Sequence, residues 1–214
     1  MYVPAPPAQP TPALSPPGFT SSELSFGAPI AGYGRSGLRV SSTNLNVLDG
    51  QSASVAGALR PGLPGRMVTL QAFGRHGWGT IARAPTGPRG RFRLRFLARH
   101  TGSQRVRLRF AGDTFHLGSS RRLGRLNVYR AVEASWYGGG GGLACGGSLT
   151  TATMGVANRT LPCGTLVTLR YNGRTVRVPV IDRGPYVGSR EFDLTEATKL
   201  ALGFGDTGIV WSTS

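Results

Sequence analysis

The chain has 214 residues, 39% of them hydrophobic, which is enough for one large or two small domains with true cores. Thirty-three glycines and 15 prolines, with few strong helix formers, point to strands and turns. The net charge is +16, and no run of 18 apolar residues is present, which excludes a transmembrane helix. The opening YVPAPPAQPTPALSPPG has neither the basic start nor the apolar core of a signal peptide, so either export relies on another segment or the protein is internal.

Residues 1–37 are rich in Pro, Ala, Ser and Gly and carry only Glu23 and Arg35 as charges, the composition of a disordered tether. From Leu38 to Arg130 the pattern changes to short apolar segments between turns. Strands are predicted at Leu45–Leu48, Ser54–Leu59, Met67–Phe73, Gly79–Arg83, Arg91–Phe96, Arg105–Phe110 and Gly124–Tyr129. Asp49-Gly50, Pro61-Gly62, Pro64-Gly65, Gly87-Pro88 and Gly112-Asp113 mark the turns. About seven strands at this spacing read as an immunoglobulin-type β-sandwich. Its wording also resembles the Ig-like modules of bacterial surface proteins, which implies binding or spacing rather than catalysis.

This region holds 17 arginines against Asp49 and Asp113, nearly the whole charge of the chain. Two of its strands alternate strictly. Phe92, Leu94 and Phe96 share one face, as do Val106, Leu108 and Phe110, leaving Arg91, Arg93, Arg95, Arg105, Arg107 and Arg109 on the other. If the two strands form a hairpin, like charges stand opposite one another, and a bound anionic polymer would relieve them. The alternative is a face whose arginines splay into water. No nucleic-acid motif is present, and aromatic residues are not interleaved with the arginines in sequence, so nucleic acid is not the expected partner.

From Val132 a second domain is predicted, joined through Arg130–Val132 without Gly or Pro and therefore stiffly. Strands are expected at Glu133–Tyr137, Leu166–Tyr171, Thr175–Ile181 and Gly208–Ser212, with Asn172-Gly173 as a hairpin turn. One helix is expected, with Asp193 as N-cap, Glu196 completing a capping box and Gly203 as the stop. Cys145 and Cys163 lack zinc-site spacing, and no metal or cofactor is implied. The two cysteines read either as a disulfide, pointing to an oxidising compartment, or as buried thiols. His76, His100 and His116 show no ligand spacing. Val180-Ile181 runs into Asp182-Arg183-Gly184-Pro185, so Asp182 sits where a strand ends, either as a turn residue or as an acid on a rigid support.

The order and spacing of ASWYG (134–138), GVANRTLPCGT (155–165), VIDRGPYV (180–187) and FDLTEATKLALG (192–203) resemble the double-psi β-barrel of the RlpA (rare lipoprotein A) family. The resemblance covers about 80 residues, Glu133 to Ser212. It implies a six-stranded barrel with one short helix (131–214) and says nothing about the region before it; with the basic Ig-like sandwich read from strand spacing (38–130), the chain is expected to be all-β. The resemblance implies an exported, cell-wall protein that engages peptidoglycan glycan strands and cuts them as a lytic transglycosylase, with Asp182 as the catalytic acid. Related barrels of expansin type loosen or bind walls with little cleavage, which is the alternative. The family's glutamate and histidine positions hold Gly147 and Asn158 here, so the site is thinned. Cys145 stands at a family serine, which implies a bond to Cys163. Asn158, Arg183, Tyr186, Trp136 and Tyr137 are the expected glycan-binding residues, although the aromatics also suit a core. Glu191 and Asp193 are the reserve acids. Anionic wall polymers are the expected partners of the arginine face.

Overall fold

The computed structural model describes residues 34–214; the predicted tether lies outside them except for its last few residues. Gly34 already bridges to His116, and the first strand, β1 (Gly37–Asn44), has no counterpart among the predicted segments. The remaining strands are β2 (Asn46–Leu48), β3 (Ser52–Arg60), β4 (Met67–Gly74), β5 (Gly77–Pro85), β6 (Arg91–Leu97), β7 (Gly102–Asp113), β8 (His116–Tyr137), β9 (Gly141–Gly142), β10 (Ser148–Leu149), β11 (Val156–Ala157), β12 (Leu166–Tyr171), β13 (Arg174–Asp182), β14 (Phe192–Thr195) and β15 (Thr207–Ser212). The one α-helix among the described residues is α1 (Glu196–Leu202).

The N-terminal strands form two sheets, β1-β3-β6 and β5-β4-β7-β8-β2. Between them lies one apolar core, with Val55, Leu59, Phe92 and Leu94 from the first sheet and Val68, Leu70, Leu108 and Phe110 from the second. The alternation of β6 and β7 turns the predicted residues inward, except that Phe96 is only partly buried. Their pairing differs from the expected hairpin. β6 pairs with β3 and β7 pairs with β4 and β8, so the two strands lie in opposite sheets. The six arginines therefore form two patches rather than one: Arg91, Arg93 and Arg95 on one sheet, Arg105, Arg107 and Arg109 on the other.

Two causes are visible. The connection has no hairpin turn signal, and Ala98 is tied by backbone hydrogen bonds to Gln51 and Gly50. Pairing with β3 also sets Arg91, Arg93 and Arg95 opposite Ala58, Ala56 and Ser54, small neutral partners instead of like charges.

Six strands close the second body: β14-β11-β13-β12-β15-β8, with β14 pairing back onto β8. Ladder closure removes free edges. The interior is filled by Val156, Leu169, Val178, Val180, Phe192, Leu194, Leu202 and Val210 among others. The β12–β13 turn is as expected, with Asn172 and Gly173 both at positive φ (44° and 84°), the geometry of a two-residue hairpin turn.

The helix start differs from expectation. Asp193 is inside β14, paired on both sides, and Thr195 is the N-cap, its hydroxyl accepting from the Thr198 amide. Glu196 is the first helical residue, where its charge suits the helix dipole, and it closes no capping box with Asp193.

β8 is one continuous strand of 22 residues. Its first part pairs with β7 and β2, and from Arg130 onward it pairs with β15 and β14. The predicted strands Gly124–Tyr129 and Glu133–Tyr137 are thus one element, as a joint without Gly or Pro permits. Around the joint both faces are covered. Tyr129 is fully buried, donates to Asn46 Oδ1 at 2.9 Å and packs 5.9 Å from the Trp211 ring. Arg130 donates to the Ser214 carbonyl at 2.6 Å and pairs with Glu191 through both terminal nitrogens.

Candidate active site

β13 delivers Asp182 as its last residue, as the run Val180-Ile181 into Gly184-Pro185 predicts. Its backbone is fixed by pairing with Ala157 of β11, and its carbonyl accepts from the Asn158 amide at 3.1 Å. Its carboxylate is also held. Oδ1 accepts from the Ala144 amide at 2.9 Å and from the Arg183 amide at 2.8 Å. The Ala144 amide is presented by the turn 143–147, which packs onto the strand end through Cys145 N–H to the Ile181 carbonyl. The expected disulfide pins this turn: Cys145 is bonded to Cys163, with Cα atoms 5.6 Å apart. The Gly184-Pro185 peptide is cis, and Gly184 has φ of 130°, a conformation that favours glycine.

Alternation along β8 turns Ser135 and Tyr137 to the outside of the barrel wall, where the parallel neighbour β14 places Asp193 beside Ser135. Ser135 Oγ donates to Asp193 Oδ1. The Tyr137 hydroxyl is buried without a hydrogen-bond partner of full geometry. Burial first, then the charge and proximity of Asp182, then the charge of Asp193, push the Tyr137 phenol well above its ordinary value. The carboxylate of Asp182, the phenol of Tyr137 and the Asp193–Ser135 pair are therefore one cluster beside the end of β13. Ser135 was not singled out from sequence; its place two residues before Tyr137 on an alternating strand was the available signal.

Because that phenol is raised, its contribution to stability is complete below the ordinary phenol value of about 10 and lost as pH rises toward the folded value. Tyr137 is expected to resist ionisation in a phenolate absorbance titration. Tyr137→Phe should reduce the loss of stability above pH about 10; an unchanged alkaline melting profile would contradict the assignment.

The other expected glycan-binding residues divide. Tyr186 is strongly exposed, beside Gly184, and is free to meet a sugar ring. Trp136 is half-buried. It faces inward, donates to Asp206 at 2.8 Å and carries the Lys199 ammonium 3.8 Å above its ring. Asn158 is buried, accepting from the Thr160 and Leu161 amides and donating to the Glu191 carbonyl. It holds the 158–161 turn, and burial keeps it from open solvent. Arg183 sends its guanidinium away from the Asp182 carboxylate, to the carbonyls of Asn158 and Leu161 at 3.0 and 2.9 Å and to Cys163 Sγ. It braces the 158–163 loop. Glu191 is committed to Arg130. Gly147, at the family's glutamate position, is exposed with φ of 83°, so a glutamate there would strain the backbone.

Residues 129–211 match the family model described as lytic transglycolase. A protein of Aquifex aeolicus named "Probable endolytic peptidoglycan transglycosylase RlpA" is 43% identical over 82 residues, covering 36% of this chain and 36% of its own length. The endolytic peptidoglycan transglycosylase RlpA of Pseudomonas aeruginosa (strain UCBPP-PA14) is 40% identical over 87 residues, covering 38% and 26%. That of Neisseria meningitidis serogroup A is 39% identical over 81 residues, covering 36% and 34%. The chain thus spans about a third or less of the curated relatives it matches. Among solved structures, the Streptomyces papain inhibitor overlaps 39% of this chain and 91% of its own at 28% identity, with a TM-score of 0.33. The closed six-stranded ring and the strand-end aspartate of the DRGP segment thus lie within the stretch, residues 129–211, that is similar to the lytic transglycolase family of RlpA-like double-psi β-barrels.

Proposed function

We propose that this chain acts outside the cytoplasm on peptidoglycan glycan strands, as an endolytic lytic transglycosylase with Asp182 as its acid. The observation that carries the reading is the fixed carboxylate of Asp182, at a strand end and beside Tyr137 and Asp193. In the reaction, Asp182 gives its proton to the glycosidic oxygen and the bond from C1 to that oxygen breaks. The 6-hydroxyl of the same sugar attacks C1 and returns its proton to Asp182. No water is consumed, the product carries a 1,6-anhydro end, and one carboxyl group serves as acid and then base. Asp193 adds negative charge on the same side, suited to the positive charge that develops at C1. Tyr137, kept neutral, remains a hydrogen-bond donor throughout. The disulfide supports an oxidising compartment.

A second reading, a wall-binding or wall-loosening barrel of expansin type, is favoured by one observation: neither Gly147 nor Asn158 offers the site a catalytic group. Mass spectrometry of peptidoglycan incubated with the protein separates the two. Anhydro-muropeptides are expected. Ends that have gained water would make the protein a hydrolase instead, and sedimentation with sacculi without any release would favour the binding reading.

A further inference from the structure

The outer face of the β5-β4-β7-β8-β2 sheet carries a charge pattern that the barrel's chemistry does not use. Register sets Arg105 opposite Arg125 and Arg107 opposite Arg122, with Arg109 next along β7. Like charges directly opposed across a ladder destabilise a sheet. None of these five arginines has a carboxylate within ion-pair distance among the described residues.

The sheet nevertheless holds three of them in fixed positions. Arg105 lies 4.3 Å over the Phe73 ring and Arg107 lies 4.2 Å over the Trp78 ring. Arg107 also donates to Gln71 Oε1 at 2.9 Å. Arg125 donates to Ser103 Oγ at 2.7 Å and to the Ser103 carbonyl at 2.6 Å. Partial burial, then the charges of Arg177 and Arg105, hold the Arg125 guanidinium below its usual value. Arg177 belongs to β13, so the ridge of charge runs on from the sheet to the barrel.

We propose that this face binds a phosphodiester-linked anionic polymer of the cell wall, laid along β7 and β8 with its phosphates between the opposed guanidinium groups. The identity of the partner rests on the wall-engaging reading above; the anion-binding character rests on the face alone. A guanidinium presents a planar fork that matches phosphate in two places, and a fork already stacked and hydrogen-bonded loses little freedom on binding. Cross-strand partners sit about 4.5–5.5 Å apart, so one phosphate reaches both members of a pair, and the next pair follows about 7 Å along the strand. The face is not a platform for bases, because the rings that would stack on them carry guanidinium groups instead. The other patch differs: Arg91, Arg93 and Arg95 stand beside Ala58, Ala56 and Ser54, and among the described residues none of the three lies over an aromatic ring.

The test is co-sedimentation of the full chain with wall sacculi that carry phosphodiester polymer and with the same sacculi stripped of it by acid, over a range of salt. Binding to the polymer-bearing sacculi should fall with salt and drop at least tenfold on stripping. Arg107→Gln combined with Arg122→Gln should cause a similar drop, whereas Arg93→Gln combined with Arg95→Gln should change binding less than twofold. Melting temperature should change little in the first pair, since removing an opposed like-charge pair offsets the lost Arg107 contacts with Trp78 and Gln71, which separates lost binding from lost fold. Equal binding to stripped sacculi, equal loss in the control pair, or tighter binding of duplex DNA than of the polymer would each overturn the proposal. Anhydro-muropeptide release measured on the stripped sacculi reports on the barrel separately.

Discussion

Asp182→Asn is expected to lower anhydro-muropeptide release by about 10²- to 10⁴-fold, the usual contribution of a general acid–base group. The amide keeps an oxygen to accept from the Ala144 and Arg183 amides, so the turn 143–147 and the end of β13 should stay in place. What is lost is the proton. Melting temperature should therefore be close to wild type while product vanishes. Asp193→Asn is the informative partner. It keeps an acceptor for Ser135 and removes only the second charge, so a smaller decrease is expected. If Asp182→Asn cleaves at the wild-type rate, the acid is elsewhere. Glu191 is then a poor substitute because Arg130 holds it, and Asp193 becomes the candidate.

Replacing Cys145 and Cys163 together by serine is expected to cost about 3 kcal/mol of stability in the chain-entropy model, and activity as well. The stability loss comes from releasing a constraint across 18 positions of the unfolded chain. The activity loss has a local cause. The turn that carries Cys145 also carries the Ala144 amide, one of the two donors on the Asp182 carboxylate. Without the bond, that turn is held, among the described residues, by a few hydrogen bonds, such as Leu143 to Gly147, Cys145 to Ile181 and Ala144 to Asp182. Chemical denaturation of wild type with and without reductant, beside the double serine variant, measures the first effect. A shift below about 1 kcal/mol would show that the bond closes a loop already ordered in the unfolded chain.

How much of this was legible varied with the range over which each signal acts. Turn chemistry and alternation are local, and they were read correctly at Asn172-Gly173, at Asp182 and along β6 and β7. Strand partners are not local. The same alternating pattern serves a hairpin neighbour and a strand across the core equally well, so the arginines of β6 and β7 were joined into one patch that the topology divides. Asp193 shows the same limit. Aspartate three residues before glutamate is a capping pattern, but Phe192-Asp193-Leu194-Thr195 lies between β8 and β11, and ladder pairing there outweighed the local preference. Asn158 and Arg183 read as groove residues because polar side chains near an acid suggest substrate. Their partners are carbonyls and amides of the chain itself, which no spacing reveals. Short strands such as β9, β10 and β11 carry only two residues each and leave no periodicity to detect.

The uninterrupted strand β8 constrains how such a protein can be rearranged in evolution. Modules joined by a linker can be exchanged, lengthened or trimmed with little regard to residue count. Here the last strand of one module is the first strand of the next, and side chains alternate faces with a period of two. Between Val128, buried in the first core, and Ser135 and Tyr137, turned toward the acid, the number of residues is fixed in parity. One inserted residue would send Trp136 outward and Tyr137 into the barrel. Transplanting this barrel onto another partner therefore means carrying the upstream strand with it, or making any change at the joint in steps of two.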